Sequence, residues 1–208
     1  SKEQVTFIKV NIDKETGEIS IQNNGEGIDV IFMEEHDCYV PELIFGNLLT
    51  STNYDSESEK IVGGKNGYGA KLTNIFSKSF KIETIDSKTK LKYTQCFRDN
   101  MKTKDKPIIT KCSNKPLTTI SFTPDYERFG MTGLDTDTNS LLEKRVYDMC
   151  ACTDKSVNVF LNNEKLGVKS FDKYVDLYIG NKENQQRVHS VVNDRWEVVA
   201  TYSNDDVF

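Results

Sequence analysis

From residue 64 to residue 71 the chain reads Gly64-Lys65-Asn66-Gly67-Tyr68-Gly69-Ala70-Lys71, three glycines and a closing lysine at the head of a segment with helical spacing. Small residues leave backbone N–H groups uncovered, and a helix N-terminus adds unpaired donors and a favourable dipole, so this arrangement can cradle phosphates. Lys71 falls in the first helical turn, from where its ammonium could reach outer phosphates. Two common phosphate motifs do not fit. A Walker A loop needs Gly-Lys-Ser/Thr after a strand, and here Gly69-Ala70-Lys71-Leu72 follows a polar stretch. The dinucleotide fingerprint needs a third glycine where Leu72 stands. Taken alone, the run reads first as a flexible, glycine-rich start of a helix. A second group lies upstream in Asn23-Asn24-Gly25-Glu26-Gly27, where two glycines allow a tight turn and a close approach by another group.

The elements that must hold these residues follow from periodicity. Val5 to Ile12 and Glu18 to Gln22 alternate as two strands joined by the turn chemistry of 13–17, a hairpin that runs straight into Asn23. Tyr39 to Leu49 has apolar residues at helical spacing, with Pro41 in the first turn. Thr50 to Lys60 is polar and reads as a mobile loop, and Ala70 to Phe76 as a helix. Ser79 to Ile85 and Leu91 to Phe97 read as antiparallel strands, with further strands over Thr118 to Phe122 and Val157 to Leu161. Leu141 to Cys152 reads as a helix capped by Asn139 or Ser140. Phe171 to Ile179 is a short helix or loop, Lys182 to Gln186 a linker-like break, and Arg195 to Tyr202 a fresh strand. Without regular βαβ alternation, the expected class is α+β, a two-layer sandwich.

Composition narrows the chemistry further. The 208 residues carry 27 Lys plus Arg against 32 Asp plus Glu, a formal charge of −5, with no basic excess to grip nucleic acid directly. Lys102 to Lys106, Lys111 and Lys115 are diluted by Asp105 and Pro107 and read as a solvated loop. Cys38, Cys96, Cys112, Cys150 and Cys152 are odd in number and contain no C-x-x-C pair, which argues against a zinc site or a disulfide framework. His36 and His189 read as surface or packing residues. No apolar run approaches the roughly 20 residues of a membrane span, so no membrane partner is expected.

The two glycine groups, in this order and spacing, resemble the GHKL ATPases. The wording is closer still to the eukaryotic type II DNA topoisomerases. It lies in Asn23-Asn24-Gly25-x-Gly27-Ile28, in Tyr39-Val40-Pro41-x-Leu43-Ile44-Phe45-Gly46-x-Leu48-Leu49-Thr50-Ser51, in Asn53-Tyr54-Asp55, and in Gly63-Gly64-x-Asn66-Gly67-Tyr68-Gly69-Ala70-Lys71-Leu72-x-Asn74-Ile75-Phe76-Ser77. Weaker similarity continues through Val157 to Val168, Tyr174 to Tyr178 and Val192 to Glu197.

The resemblance implies a sandwich of the GHKL type, with residues 1–180 as the ATP-binding domain and 181–208 as the start of a transducer domain. It implies ATP with Mg²⁺, Asn23 at the adenine, Ser51, Thr52 and Asn53 on ribose and phosphates, and Gly64, Lys65, Asn66, Gly67, Tyr68, Gly69, Ala70 and Lys71 as a phosphate lid. Thr52 stands where a serine is usual, and Lys65 where arginine is common, which keeps the charge but not a two-pronged contact. Tyr68 either covers the nucleotide or packs the lid.

The family's catalytic glutamate and its Mg²⁺-binding asparagine lie on a helix upstream of the Asn23 strand, and its γ-phosphate lysine comes from the next domain. No catalytic or metal-binding residue is therefore expected within this chain, and no ATP turnover by it alone. The parent protein would be a homodimer passing one DNA duplex through another, nuclear if cellular or in a cytoplasmic replication factory if viral. Two alternatives remain on sequence grounds, another GHKL ATPase of the chaperone or mismatch-repair type and a non-hydrolysing nucleotide-binding module.

Overall fold

A computed structural model of the chain describes residues 4–48 and 67–202. In chain order the elements are β1 (Phe7–Ile12), β2 (Ile19–Asn24), β3 (Phe32–Met33), β4 (Cys38–Tyr39), α1 (Val40–Gly46), α2 (Tyr68–Ile75), β5 (Ser77–Ile85), β6 (Leu91–Arg98), β7 (Thr103–Lys104), β8 (Ile108–Lys111), β9 (Leu117–Pro124), α3 (Thr136–Ala151), β10 (Asn158–Leu161), β11 (Glu164–Lys165), α4 (Phe171–Ile179), β12 (Arg187–Asn193) and β13 (Trp196–Thr201). Nine strands form one sheet in the order β11-β10-β1-β2-β9-β5-β6-β7, with β8 on the same edge of β6 as β7. Its described pairings are antiparallel except that of β1 with β10.

Register explains the two layers. Ile12 faces Ile19, Ile19 faces Phe122, Phe122 faces Phe80, and Phe80 faces Phe97, so one apolar row crosses five strands on one side of the sheet. The alternate row, with Lys9, Gln22, Thr119, Glu83 and Thr94, lies on the other side and is polar. A period of two makes this division automatic once the register is set. The inner face carries two core clusters. In one, Val10, Ile12, Ile19 and Val159 meet Val146 and Cys150 of α3. In the other, Phe80, Ile82, Tyr93 and Phe97 meet Phe45 of α1 and Val30 of the loop before β3. Each fully buried aromatic or branched side chain contributes about 1.5–3 kcal/mol relative to exposure. This is the expected two-layer α+β sandwich.

Several local expectations need correction. α3 starts at Thr136, and its cap is Asp135, whose carboxylate accepts from the Thr138 amide at 2.7 Å. Asn139 and Ser140 lie inside the helix. The first apolar residue of a helix marks its buried stripe, not its start, and here a whole polar turn precedes it. Residues 102–106 are not merely a solvated loop: β7 pairs with β6, and Lys104 reaches the buried Glu42 at 2.6 Å. The stretch from Arg187 to Asn193 is a strand, and its partner β13 makes with it a separate two-stranded sheet.

Candidate functional site

The first glycine group emerges from the end of β2. Its two asparagines face opposite ways by strand alternation and have different work. Asn24 ties the end of β2 to the start of β1, its Oδ1 accepting from the Thr6 and Phe7 amides at 2.9 and 3.1 Å and its Nδ2 donating to Thr6 Oγ1 at 2.9 Å. Asn23 lies on the inner face between Ile8 and Thr118 in register. Its Nδ2 donates to Asn24 O at 2.8 Å, while its Oδ1 takes no hydrogen bond from the described residues.

Beyond Asn24 the chain turns through Gly25 (φ 123°) and Gly27 (φ 74°). A Cβ on Gly27 would lie 2.0 Å from Ile85 O, so only glycine fits. The loop is then fastened to the end of β5 and the turn after it. The Ile28 amide donates to Thr84 Oγ1 at 2.9 Å, the Val30 amide to Asp86 Oδ2 at 3.0 Å, and the Ser87 amide to Glu26 O at 2.9 Å. Asp86 is fully buried and also accepts from the Lys88 amide and from Thr89 Oγ1. Burial alone would raise its carboxyl pKa, but the hydrogen bonds from Thr89, Val30 and Lys88 outweigh that and hold it below the ordinary aspartate value.

Next to Asn23 the inner face carries a second polar group that the sequence does not advertise. Thr84 Oγ1 lies 3.0 Å from Thr118 Oγ1 and donates to Leu117 O at 3.1 Å. Thr118 is the register partner of both Asn23 and Thr84. Three polar side chains therefore line up across β2, β9 and β5 in what is otherwise an apolar row. The available signal was a threonine at an inward position of a strand, since buried polar groups need partners.

α1 sits against β6 through a buried polar chain. Tyr93 OH donates to Gln95 Oε1 at 2.7 Å, Gln95 Nε2 donates to Glu42 Oε2 at 2.7 Å, and Lys104 Nζ donates to Glu42 Oε1 at 2.6 Å. Burial pushes the Tyr93 phenol far above its usual range, with the Glu42 carboxylate adding to the shift. α2 packs on α1, β5 and β9, and the fully buried Asn74 joins the helices by donating to Phe45 O at 3.1 Å. β9 pairs with β2 and packs against α2 at opposite ends: Asn23 lies beside Thr118 near its start, and the Asp125 amide just past its end donates to Phe76 O at the C-terminus of α2 at 2.8 Å.

At the N-terminus of α2, the N-cap residue Gly67 is left-handed (φ 66°, ψ 20°) and, as a glycine, has no side chain to cap the first turn. The first-turn amides consequently have no intrahelical acceptor. Gly69 faces open space, because a Cβ there would meet nothing within 4 Å. Tyr68, Gly69 and Ala70 are exposed. Lys71 is buried, its Nζ 3.2 Å from Gly67 O, which folds the ammonium back over the first turn instead of extending it outward. Burial pushes its pKa below the ordinary lysine value. Ser51, Thr52, Asn53, Gly64, Lys65 and Asn66, and the polar stretch from Thr50 to Lys60, lie outside the described residues.

Among the described residues no group of three or more His, Cys, Asp or Glu could hold a metal ion, and no helix is long and apolar enough to cross a membrane.

No protein-family model matches the chain. Individual relatives do. A probable DNA topoisomerase 2 of Dictyostelium discoideum is 49% identical over 204 residues, covering 97% of this chain and 13% of that protein. The ATPase region of Saccharomyces cerevisiae topoisomerase II superposes with a TM-score of 0.89 at 40% identity, over 97% of this chain and 53% of that one. The 43K ATPase domain of Thermus thermophilus gyrase B, at 19% identity and a TM-score of 0.57 over 78% of this chain and 39% of that one, shares the fold. The chain thus spans about half of the yeast ATPase region and a small part of the full relative. With that identity sustained along nearly its whole length, and with the fold of the yeast region to match, this chain belongs to the eukaryotic type II DNA topoisomerases.

Proposed function

We propose that the chain forms the adenine and phosphate surfaces of the ATP site of a type II DNA topoisomerase. The observation that carries this reading is an Asn23 whose Oδ1 takes no hydrogen bond from the described residues, together with an α2 first turn that opens on the exposed Gly67 and Gly69. Asn23 takes the adenine end, its uncommitted Oδ1 accepting from the exocyclic amino group. The first turn of α2, opened by Gly67 and exposed at Gly69, receives the phosphates. Ser51, Thr52 and Asn53 take the ribose and phosphates, and Gly64 to Lys71 act as the lid. These groups fit a nucleoside triphosphate. Among the described residues no carboxylate cluster could hold Mg²⁺, and the resemblance places the family's asparagine ligand upstream of the Asn23 strand.

In the whole protein this site couples ATP binding and hydrolysis to closure of a dimer gate around double-stranded DNA. The domain boundary falls between residues 180 and 181, and the separate β12–β13 sheet begins the transducer, a reading supported by its lack of strand pairing to the main sheet. The site of action is the nucleus for a cellular protein, or a cytoplasmic replication factory for a viral one.

The test is titration of the chain with a fluorescent ATP analogue in Mg²⁺. Saturable binding that ATP displaces and GTP displaces poorly is expected. Absence of binding, or displacement by inorganic phosphate alone, would overturn the assignment.

A further inference from the structure

The β12–β13 hairpin meets α4 through charge and shows much of its apolar surface to solvent. Val188, Val191, Val192, Trp196 and Val198 are exposed. Arg187, by contrast, has a side chain only 2% exposed. Its guanidinium reaches back across the polar segment 181–186 to α4, where it donates to Asp176 Oδ1 at 2.6 Å and lies 3.5 Å from Asp172 Oδ1. The same group reaches Gly180 O at the C-terminus of α4 at 3.4 Å. Two further contacts join the elements around it. His189 Nδ1 lies 3.9 Å from Asp172 and its Nε2 lies 2.8 Å from Glu197, while its ring packs on Phe171 at 6.2 Å. Lys173 and Lys182 close the rim on Asp176 and Asp172. Asp172 and Asp176 stand one helical turn apart, so both carboxylates face the same cation.

We propose that Arg187 is the joint that fixes the β12–β13 hairpin in one orientation on α4. This rests on the boundary proposed above between residues 180 and 181. An apolar contact tolerates sliding, whereas a planar guanidinium that bonds Asp176 Oδ1 through one arm and Gly180 O through the other holds one direction. A buried ion pair adds little net stability yet leaves a costly unpaired charge when one partner goes. That combination suits a connection which must transmit direction between two units. α4 packs in turn on α3, whose Val146 and Cys150 lie in the core under β1 and β10, so the path from the joint to the sheet is continuous.

Hydrogen exchange on the chain tests the joint, with fluorescence of Trp196, the single tryptophan, as an independent probe of the hairpin. Arg187→Met keeps the bulk and removes the charge. It is expected to speed exchange across residues 187–201 by about ten-fold or more, equivalent to one charged hydrogen bond, and to shift Trp196 emission. Exchange in β5 and β9, and affinity for an ATP analogue, should stay within about two-fold of wild type. Arg187→Lys retains charge without the fork and should give an intermediate effect. If Arg187→Met does not fold, Asp176→Asn should show the same localised change at smaller amplitude. Exchange over 187–201 that is unaltered in these variants, or that rises equally in β5 and β9, would overturn the proposal. The boundary it rests on is judged separately in wild type: residues 187–201 exchanging in step with β5 and β9 would remove it, and the joint with it, whatever the variants do.

Discussion

Gly27 lies so close to Ile85 that a Cβ on the glycine would stand 2.0 Å from the Ile85 carbonyl oxygen, and its φ of 74° independently disfavours any side chain. The loop that leaves the candidate adenine end is therefore pressed against the end of β5, with no slack to absorb a methyl group. Gly27→Ala should combine a left-handed backbone cost with overpacking, on the order of 2–5 kcal/mol together. In a thermal melt this is a fall on the order of 10 °C. A melt unchanged by the substitution would show that the contact relaxes freely.

Asp86 anchors the same loop from the other side. Asp86→Ala strands the buried Val30 amide and the Thr89 hydroxyl, and should cost about 2–4 kcal/mol. The pH dependence has a definite sign. Because the folded-state pKa lies below the ordinary value of 3.8, the carboxylate's contribution is fully present above that value and is lost as pH falls through the folded-state pKa. Denaturant melts from pH 6 down to about pH 2 should show a shallower acid decline for Asp86→Asn than for wild type.

The adjacent asparagines provide a paired test. Asn23→Ala should weaken an ATP analogue by roughly ten-fold, one neutral hydrogen bond, while leaving the melt of the free chain nearly unmoved. Asn24→Ala removes the stitch to Thr6 and Phe7 and should do the reverse, lowering the melt with little direct effect on the nucleotide. Equal effects of the two substitutions on binding would mean that Asn23 acts only through the fold.

Glu42 holds α1 to β6 and β7. Glu42→Ala removes the acceptor of the Lys104 ammonium and one of the two acceptors of the Gln95 amide, Asp105 O being the other, and about 1–3 kcal/mol of destabilisation is expected by denaturant titration. Lys104→Ala should cost far less, since the lysine is largely exposed and Gln95 still satisfies the carboxylate. A larger loss from Lys104→Ala than from Glu42→Ala would contradict this order.

What was legible in the sequence was local. The first hairpin, α1, α2 and the β5–β6 pair carry their own periodicity and turn residues, and the two glycine groups are contiguous. The Thr84–Thr118 contact and the Asp86 anchor were not legible, because their partners lie 34 and 56 residues away and no short-range pattern marks them. Apolar spacing marks too short an α3, because its capped first turn is polar. Alternation does not mark β12, because Val191-Val192 breaks it where the pairing with β13 shifts register. The family resemblance gave roles to Asn23 and to the lid. Geometry added the different work of Asn24 and the inward turn of Lys71 onto Gly67 O.

The parallel pairing of β1 with β10 has a kinetic consequence. Asn162, just past β10, accepts a hydrogen bond from the Ile12 amide across 150 residues of chain. β1 therefore keeps one edge open during synthesis until β10 has left the ribosome. Closing so long a loop is entropically slow, and contacts of this range retard folding. A hairpin of β1 and β2 formed before β10 would carry an unpaired strand edge, open to aggregation or to capture by a chaperone.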